Sequence, residues 1–157
     1  MGLGCDPWDE DAVAEILRLK RRPAGKGLII AASNIDQLSE LVDFSRVPAL
    51  EEITASWPGP VTWLAPAQLS TPCWLTGRHD TLAVRVSAHP VVQQLCDAAG
   101  AIVSTSANPS GCRPARTRRR VRAYFGLDVD CYVPGNVGGD PRPSTIRDAV
   151  TGRVLRT

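Results

Sequence analysis

Short apolar runs bounded by glycine or proline recur along this chain with helix-spaced segments between them, a pattern that confines it to an α/β architecture. Gly27-Leu28-Ile29-Ile30-Ala31-Ala32 reads as a buried strand. Val61-Thr62-Trp63-Leu64-Ala65 reads as another, following Trp57-Pro58-Gly59-Pro60, where two prolines around a glycine exclude regular structure. Thr81-Leu82-Ala83-Val84-Arg85-Val86 alternates as a half-buried strand does, and Ala101-Ile102-Val103 is a further short apolar run. Asp130-Cys131-Tyr132-Val133 is expected to return as a strand before Pro134-Gly135, and 145–149 with 153–156, joined by Thr151-Gly152, reads as a hairpin.

Helix signals fill the intervals. Asp6-Pro7 predicts an N-cap with proline at the first helical position, and Val13, Ile16, Leu17 and Lys20 recur at helical spacing, so a helix is expected from about Pro7 to Lys20 or Arg21. Asn34 is expected to cap a helix carrying Ile35, Leu38, Leu41 and Val42, and a short helix is expected over 49–56. Pro90 opens a segment through Val91, Val92, Leu95 and Cys96 that Gly100 closes, and Thr117 predicts a cap for a helix reaching Phe125. The expectation is one domain over 1–157, an α/β fold with helices packed on a twisted mixed sheet, in which ligands gather at strand ends.

At 157 residues with 43% hydrophobic content the chain can bury a real core as a single domain. No apolar run approaches the roughly 20 residues that a spanning helix needs, and the N-terminus lacks a basic start followed by an apolar stretch, so a soluble, cytoplasmic protein is expected. Cys5, Cys73, Cys96, Cys112 and Cys131 are odd in number and never spaced C-x-x-C, which argues against a disulfide framework and against a zinc site. A net charge of +2 is too small to demand a nucleic-acid partner, yet Arg113, Arg116, Arg118, Arg119, Arg120 and Arg122 crowd one stretch. That run fits a solvated helix face and RNA contact equally well.

Two elements carry chemistry. Leu19-Lys20-Arg21-Arg22-Pro23 ends the first helix in a basic cluster, and Arg22, before a proline, is pushed out of helical geometry, so Lys20 and Arg22 can converge on one ligand. Ser104-Thr105-Ser106-Ala107-Asn108-Pro109-Ser110-Gly111 follows a buried strand and presents small hydroxyl and amide groups on a loop. Cations with small hydroxyls suit a polyphosphate. Taken singly, the first reads as a basic helix C-terminus complementing the macrodipole and the second as a capped turn.

Together they resemble the signature of the YrdC family of threonylcarbamoyl-AMP synthases, a Lys-x-Arg pair with a Ser-x-Asn pair. The resemblance extends through Gly2-Leu3-Gly4-Cys5-Asp6-Pro7, Lys26-Gly27-Leu28-Ile29, Trp57-Pro58-Gly59-Pro60-Val61-Thr62, Leu82-Ala83-Val84-Arg85-Val86, His89-Pro90 and Pro143-Ser144-Thr145-Ile146-Arg147-Asp148. It implies an open concave ligand site and a reaction in which ATP, L-threonine and bicarbonate give threonylcarbamoyl-AMP and pyrophosphate. The product would pass to the downstream threonylcarbamoyl transferase machinery that modifies tRNA. By the same resemblance Lys20, Arg22, Ser106 and Asn108 form the catalytic cluster. Arg22, Lys26, Thr81, Ser106 and Arg156 would bind ATP, and Arg85, Ser104 and Ser144 would face the threonine. Mg²⁺ would arrive with the nucleotide and no resident metal is expected; Arg118, Arg119 and Arg120 are the candidate contacts to tRNA or double-stranded RNA. His79 and His89 are read as structural.

The chain departs from the family pattern in three places. Ala31 stands where some relatives carry histidine near the threonine, and Pro114 where many carry serine near the nucleotide. The family also precedes Gly-Leu-Gly with a helix, a strand and a Pro-Thr-Glu-type loop, a segment expected to be missing ahead of Met1. Two other readings use parts of the same pattern: a non-catalytic RNA-binding or ribosome-associated factor, and a carbamoyl-adenylate-handling domain of the hydrogenase-maturation kind, which usually sits in a longer chain.

Overall fold

The computed structural model describes residues 1–135, 137 and 144–157; Pro143, quoted above with Ser144, lies outside them. Asp9, not Asp6, caps the first helix. Its carboxylate accepts the amide of Ala12 at 3.0 Å, and α1 runs Glu10–Lys20. Asp6 instead accepts the amide of Trp8 at 2.8 Å in the preceding turn, so the helix starts three residues later than the Asp-Pro pair predicts. Val13 and Ile16 are buried along α1. Arg21 closes it in the left-handed conformation (φ 49°, ψ 46°), and the amides of Arg21 and Arg22 bond back to the carbonyls of Arg18 and Leu17 at 3.0 Å. That closure turns the chain out of the helix just before Arg22.

The strands are β1 (Gly2–Leu3), β2 (Ile29–Ala32), β3 (Val61–Pro66), β4 (Thr81–Val86), β5 (Ile102–Ser106), β6 (Thr145–Asp148) and β7 (Val154–Arg156). They form one seven-stranded sheet in the order β1-β5-β2-β4-β3-β6-β7. The sheet is mixed: β2 runs parallel to β4 and β3 to β6, and the other neighbours are antiparallel. Alternation sorts the faces. In β4, Leu82, Val84 and Val86 are buried whereas Thr81, Ala83 and Arg85 are half-buried on the opposite side. Ile30, Trp63, Val84 and Val103 are buried at the centre of the core.

Four further helices connect the strands: α2 (Leu50–Ala55), α3 (Cys73–Thr76), α4 (Pro90–Ala99) and α5 (Arg118–Phe125). Pro90 opens α4 and Gly100 closes it, and the Thr117 hydroxyl accepts the amide of Arg120 at 3.2 Å at the start of α5. The peptide bond between Trp57 and Pro58 is cis. Among the described residues no helix is long and apolar enough to cross a membrane.

Two expected elements are not formed. After Asn34 there is only a 3-10 turn, Asp36–Leu38. Asn34 does cap it, accepting the amide of Gln37 at 3.2 Å, but the Ser39 hydroxyl bonds the Asp36 carbonyl at 2.7 Å, and Val42 leaves to bridge Ala67. The segment 130–133 is irregular. Its Tyr132 hydroxyl donates to the Gly126 carbonyl at 2.6 Å, and Pro134 removes the next ladder donor, so the segment packs by its side chain instead of pairing. Two short elements, β1 and α3, carried no readable local signal.

Candidate functional site

Strand register builds the floor of one cavity. Ser104 pairs with Ile29, Ile29 with Ala83, and Ala83 with Leu64, so four small or apolar side chains form a row across β5, β2, β4 and β3. All four line an open cavity of about 740 Å³. Its wall carries every residue expected at the nucleotide and threonine subsites: Arg22 and Lys26 from the link between α1 and β2, Thr81 and Arg85 from β4, Ser104 and Ser106 from β5, and Ser144 and Arg156 from either side of the terminal hairpin. They come from segments far apart in sequence, and the mixed sheet brings them to one face.

The cations are held in different ways. Arg22 donates through Nε and Nη2 to the Gly27 carbonyl at 3.3 and 2.9 Å, which fixes its guanidinium beside Lys26. Arg156 donates to the Ser144 carbonyl at 2.9 Å, and the Ser144 hydroxyl accepts from Thr62 at 3.0 Å, so Ser144, just ahead of β6, is held between β7 and β3. Arg85 is half-buried and its Nε is buried with no hydrogen-bond partner among the described residues. Burial pushes the guanidinium pKa of both Arg22 and Arg85 down. Among the described residues no aspartate or glutamate lines the cavity, and the charged side chains that do are basic.

Lys20 and Asn108, expected with these residues, are set behind the wall. Lys20 is 5% exposed, and its ammonium donates to the carbonyls of Ser106 and, at 2.9 Å, Asn108. Burial, and then the neighbouring charge of Arg22, pushes its pKa down to about 8. The Asn108 side chain donates to the Cys112 carbonyl at 2.8 Å, closing the loop on itself. Arg118, Arg119 and Arg120 are exposed on α5 and do not line this cavity; the Arg120 guanidinium sits 5.2 Å from the Tyr124 ring centre.

Sequence reasoning missed several members of the wall. His79 and His89 both line it, as do Thr76 and Ser87. The signal for His89 was its place before Pro90, which puts it at the mouth of α4. Of the two single-residue departures from the family pattern, Pro114 lines the cavity, and Ala31 is fully buried opposite Arg85 with its carbonyl 3.5 Å from the Cys96 thiol. Among the described residues no group of histidine, cysteine and acidic side chains is assembled to hold a metal ion.

The Sua5/YciO/YrdC family model, whose description is "Telomere recombination", matches residues 1–157. The threonylcarbamoyl-AMP synthase of Pseudomonas aeruginosa (strain UCBPP-PA14) is 53% identical over 155 residues, covering 99% of this chain and 84% of its own length. That of Methylococcus capsulatus (strain ATCC 33009 / NCIMB 11132 / Bath) is 53% identical over 156 residues with the same coverage. Among solved structures, P. abyssi Sua5 complexed with L-threonine matches with a TM-score of 0.85 at 34% identity, over 94% of this chain and 44% of that one. This chain therefore spans less than half the length of that Sua5 chain.

Proposed function

This chain belongs to the Sua5/YciO/YrdC family, and from that premise we propose that it is an L-threonylcarbamoyladenylate synthase, a nucleotidyltransferase that forms threonylcarbamoyl-AMP and pyrophosphate from L-threonine, bicarbonate and ATP. The observation that carries the reading is the cavity with Arg22, Lys26, Arg85 and Arg156 on its wall and no carboxylate among the described residues. A site of that charge attracts a polyanion together with a second, smaller anionic group, and a triphosphate with an amino-acid carboxylate meets both requirements.

In this assignment Arg22, Lys26 and Arg156 neutralise the triphosphate, and the hydroxyls of Thr81 and Ser106 donate to its oxygens. Arg85 clamps the threonine carboxylate, while Ser104 and Ser144 read its amine or side chain without adding charge. The threonine amine captures bicarbonate with loss of water and gives a carbamate. A carbamate oxygen then forms a bond to the α-phosphorus as the bond to the β-phosphate breaks, and pyrophosphate leaves with the electron pair. The protein supplies alignment and charge neutralisation in place of a nucleophile, and Mg²⁺ enters with the nucleotide as part of the substrate. The test is pyrophosphate release, expected only when threonine, bicarbonate and ATP are all present. Arg22→Ala is expected to weaken ATP binding by about 1.5–3 kcal/mol, the range for a hydrogen bond to a charged group, as read by calorimetry. Release without threonine, or unchanged ATP affinity in the variant, would remove the assignment.

The exposed arginine run supports a second interaction, with the phosphate backbone of tRNA or another double-stranded RNA. Arg118, Arg119 and Arg120 are all exposed on α5 and stand beside Arg116 and Arg122. Retention of tRNA is expected to fall steeply with salt. Replacing the three by glutamine is expected to flatten that log–log dependence by roughly 0.9 for each phosphate no longer neutralised. An unchanged slope would leave the run a solvated helix face.

A further inference from the structure

We propose that Lys20 is a positioning residue that works through the loop after β5: its ammonium latches the carbonyls of Ser106 and Asn108 from behind and so fixes the direction in which Ser106 meets the phosphates. The proposal rests on the nucleotide site assigned above.

A lysine at the end of a helix ordinarily extends into water, where its charge complements the macrodipole at little cost. Lys20 instead ends α1 at 5% exposure. A buried ammonium with no carboxylate partner opposes folding unless strong acceptors surround it. Here the acceptors are two carbonyls of one loop, two residues apart, on either side of Ala107. Holding both fixes the Ser106–Ala107 and Asn108–Pro109 peptide planes, with Ala107, itself fully buried, between them.

The backbone repeats the connection. The Ser110 amide donates to the carbonyl of Lys20 at 2.7 Å, so the last residue of α1 grips the loop with its main chain as well as its side chain. Inside the loop the Asn108 amide bonds the Ser106 carbonyl at 2.9 Å, and the Asn108 side chain bonds Cys112. A stability role alone is better served by an apolar residue at such a position. Two directed donors on one short segment are what a fixed loop conformation requires, and Ser106 is the exposed, cavity-lining residue of that segment.

The alternative is that Lys20 reaches the phosphates directly with its remaining donor. A double-mutant cycle separates the two. ATP affinity is measured by calorimetry on the full chain for the parent, Ser106→Ala, Lys20→Met and the double variant. Each single change is expected to weaken binding by about tenfold, and the double variant by about as much as either single one, because a serine that is no longer held in place and a serine that is absent forfeit the same hydrogen bond to phosphate. In steady-state turnover Lys20→Met is expected to raise KM for ATP with KM for threonine unchanged, a split that general loosening of the domain does not produce. Additive losses, or a Lys20→Met protein that binds ATP normally, overturn the latch. If Ser106→Ala leaves ATP affinity unchanged, the nucleotide assignment of Ser106 fails and the latch with it. If Ser106→Ala weakens binding and the losses add, the latch alone fails. Should Lys20→Met not fold, Lys20→Gln, which keeps an amide donor and lacks the charge, enters the same cycle, with a smaller loss and the same non-additivity expected.

Discussion

Replacing Arg85 with alanine is expected to cost about 2–5 kcal/mol in kcat/KM for threonine while leaving the domain as stable as before or more so. With the threonine carboxylate on Arg85 as proposed, the loss follows from truncating one member of a desolvated charge pair, which would remove the attraction and strand the ligand carboxylate in a half-dry site. The stability expectation follows from the free protein. Arg85 stands in the middle of the sheet on β4, its Nε is buried with no hydrogen-bond partner among the described residues, and burial pushes its pKa down. Among the described residues no carboxylate lines the cavity to compensate that charge. In the unliganded domain the guanidinium is therefore a net cost that binding offsets, the usual conflict between a prepared site and a relaxed fold. Pyrophosphate release against threonine concentration gives the first quantity and a thermal melt the second. Arg85→Lys, which keeps the charge and loses the planar fork, is expected to fall between alanine and the parent. A variant that melts lower and retains its threonine dependence would make Arg85 a structural residue.

Much of this fold can be read from local pattern because most of its elements have local causes. The alternation of β4 announces a strand with one buried face, Gly100 and Thr117 mark helix ends by their own chemistry, and Thr151-Gly152 turns the terminal hairpin. The helix start at Asp9 was less legible because Asp6 is an equally good acceptor, and which aspartate caps depends on which downstream amide comes within reach. The two-residue β1 exists only through its pairing with Ser106 and Thr105, a partner about a hundred residues away that no window of sequence contains. The strand at 130–133 was expected from tyrosine and valine in a row, yet no neighbour of the sheet reaches it among the described residues.

The site was legible in kind but not in arrangement. Serines after a buried strand and cations before a proline suggest an anion ligand, and the resemblance gave each a place. What neither could give is the division between wall and support. Lys20 and Arg22, two residues apart, part ways, Arg22 onto the cavity wall and Lys20 onto the carbonyls of Ser106 and Asn108, because Arg21 in the left-handed conformation redirects the chain between them and the acceptors of Lys20 lie 86 and 88 positions downstream. His79 and His89 joined the cavity for a similar reason: each sits in a connection whose path is set by the sheet, not by its neighbours in sequence.

Trp63→Ala is expected to cost about 3–5 kcal/mol of stability, the most damaging single truncation of the core. Trp63 is 1% exposed and lies on β3, which is paired on one side to β4 and on the other to β6. Its indole N–H donates to the Ser56 hydroxyl at 2.9 Å, and that hydroxyl bonds the Ile53 carbonyl at 2.7 Å, tying the strand to the end of α2. Across the ring lies the guanidinium of Arg147, 5.1 Å from its centre and 2.6 Å from the Glu52 carboxylate, so one aromatic side chain joins α2, β3 and β6. Against a total stability of roughly 5–15 kcal/mol the loss is a large fraction, and for a domain of this size it corresponds to a fall in Tm of about 6–20 °C. Trp63→Phe keeps most of the volume and loses the indole donor, with about 1 kcal/mol expected. Urea titration of the three proteins decides the point: an alanine variant within about 1 kcal/mol of the parent would mean that this junction does not hold the sheet together. Because β3 and the β6–β7 hairpin also carry cavity residues on their other face, saturating ATP is expected to recover part of the lost Tm in the alanine variant, as a ligand that binds only the folded state must.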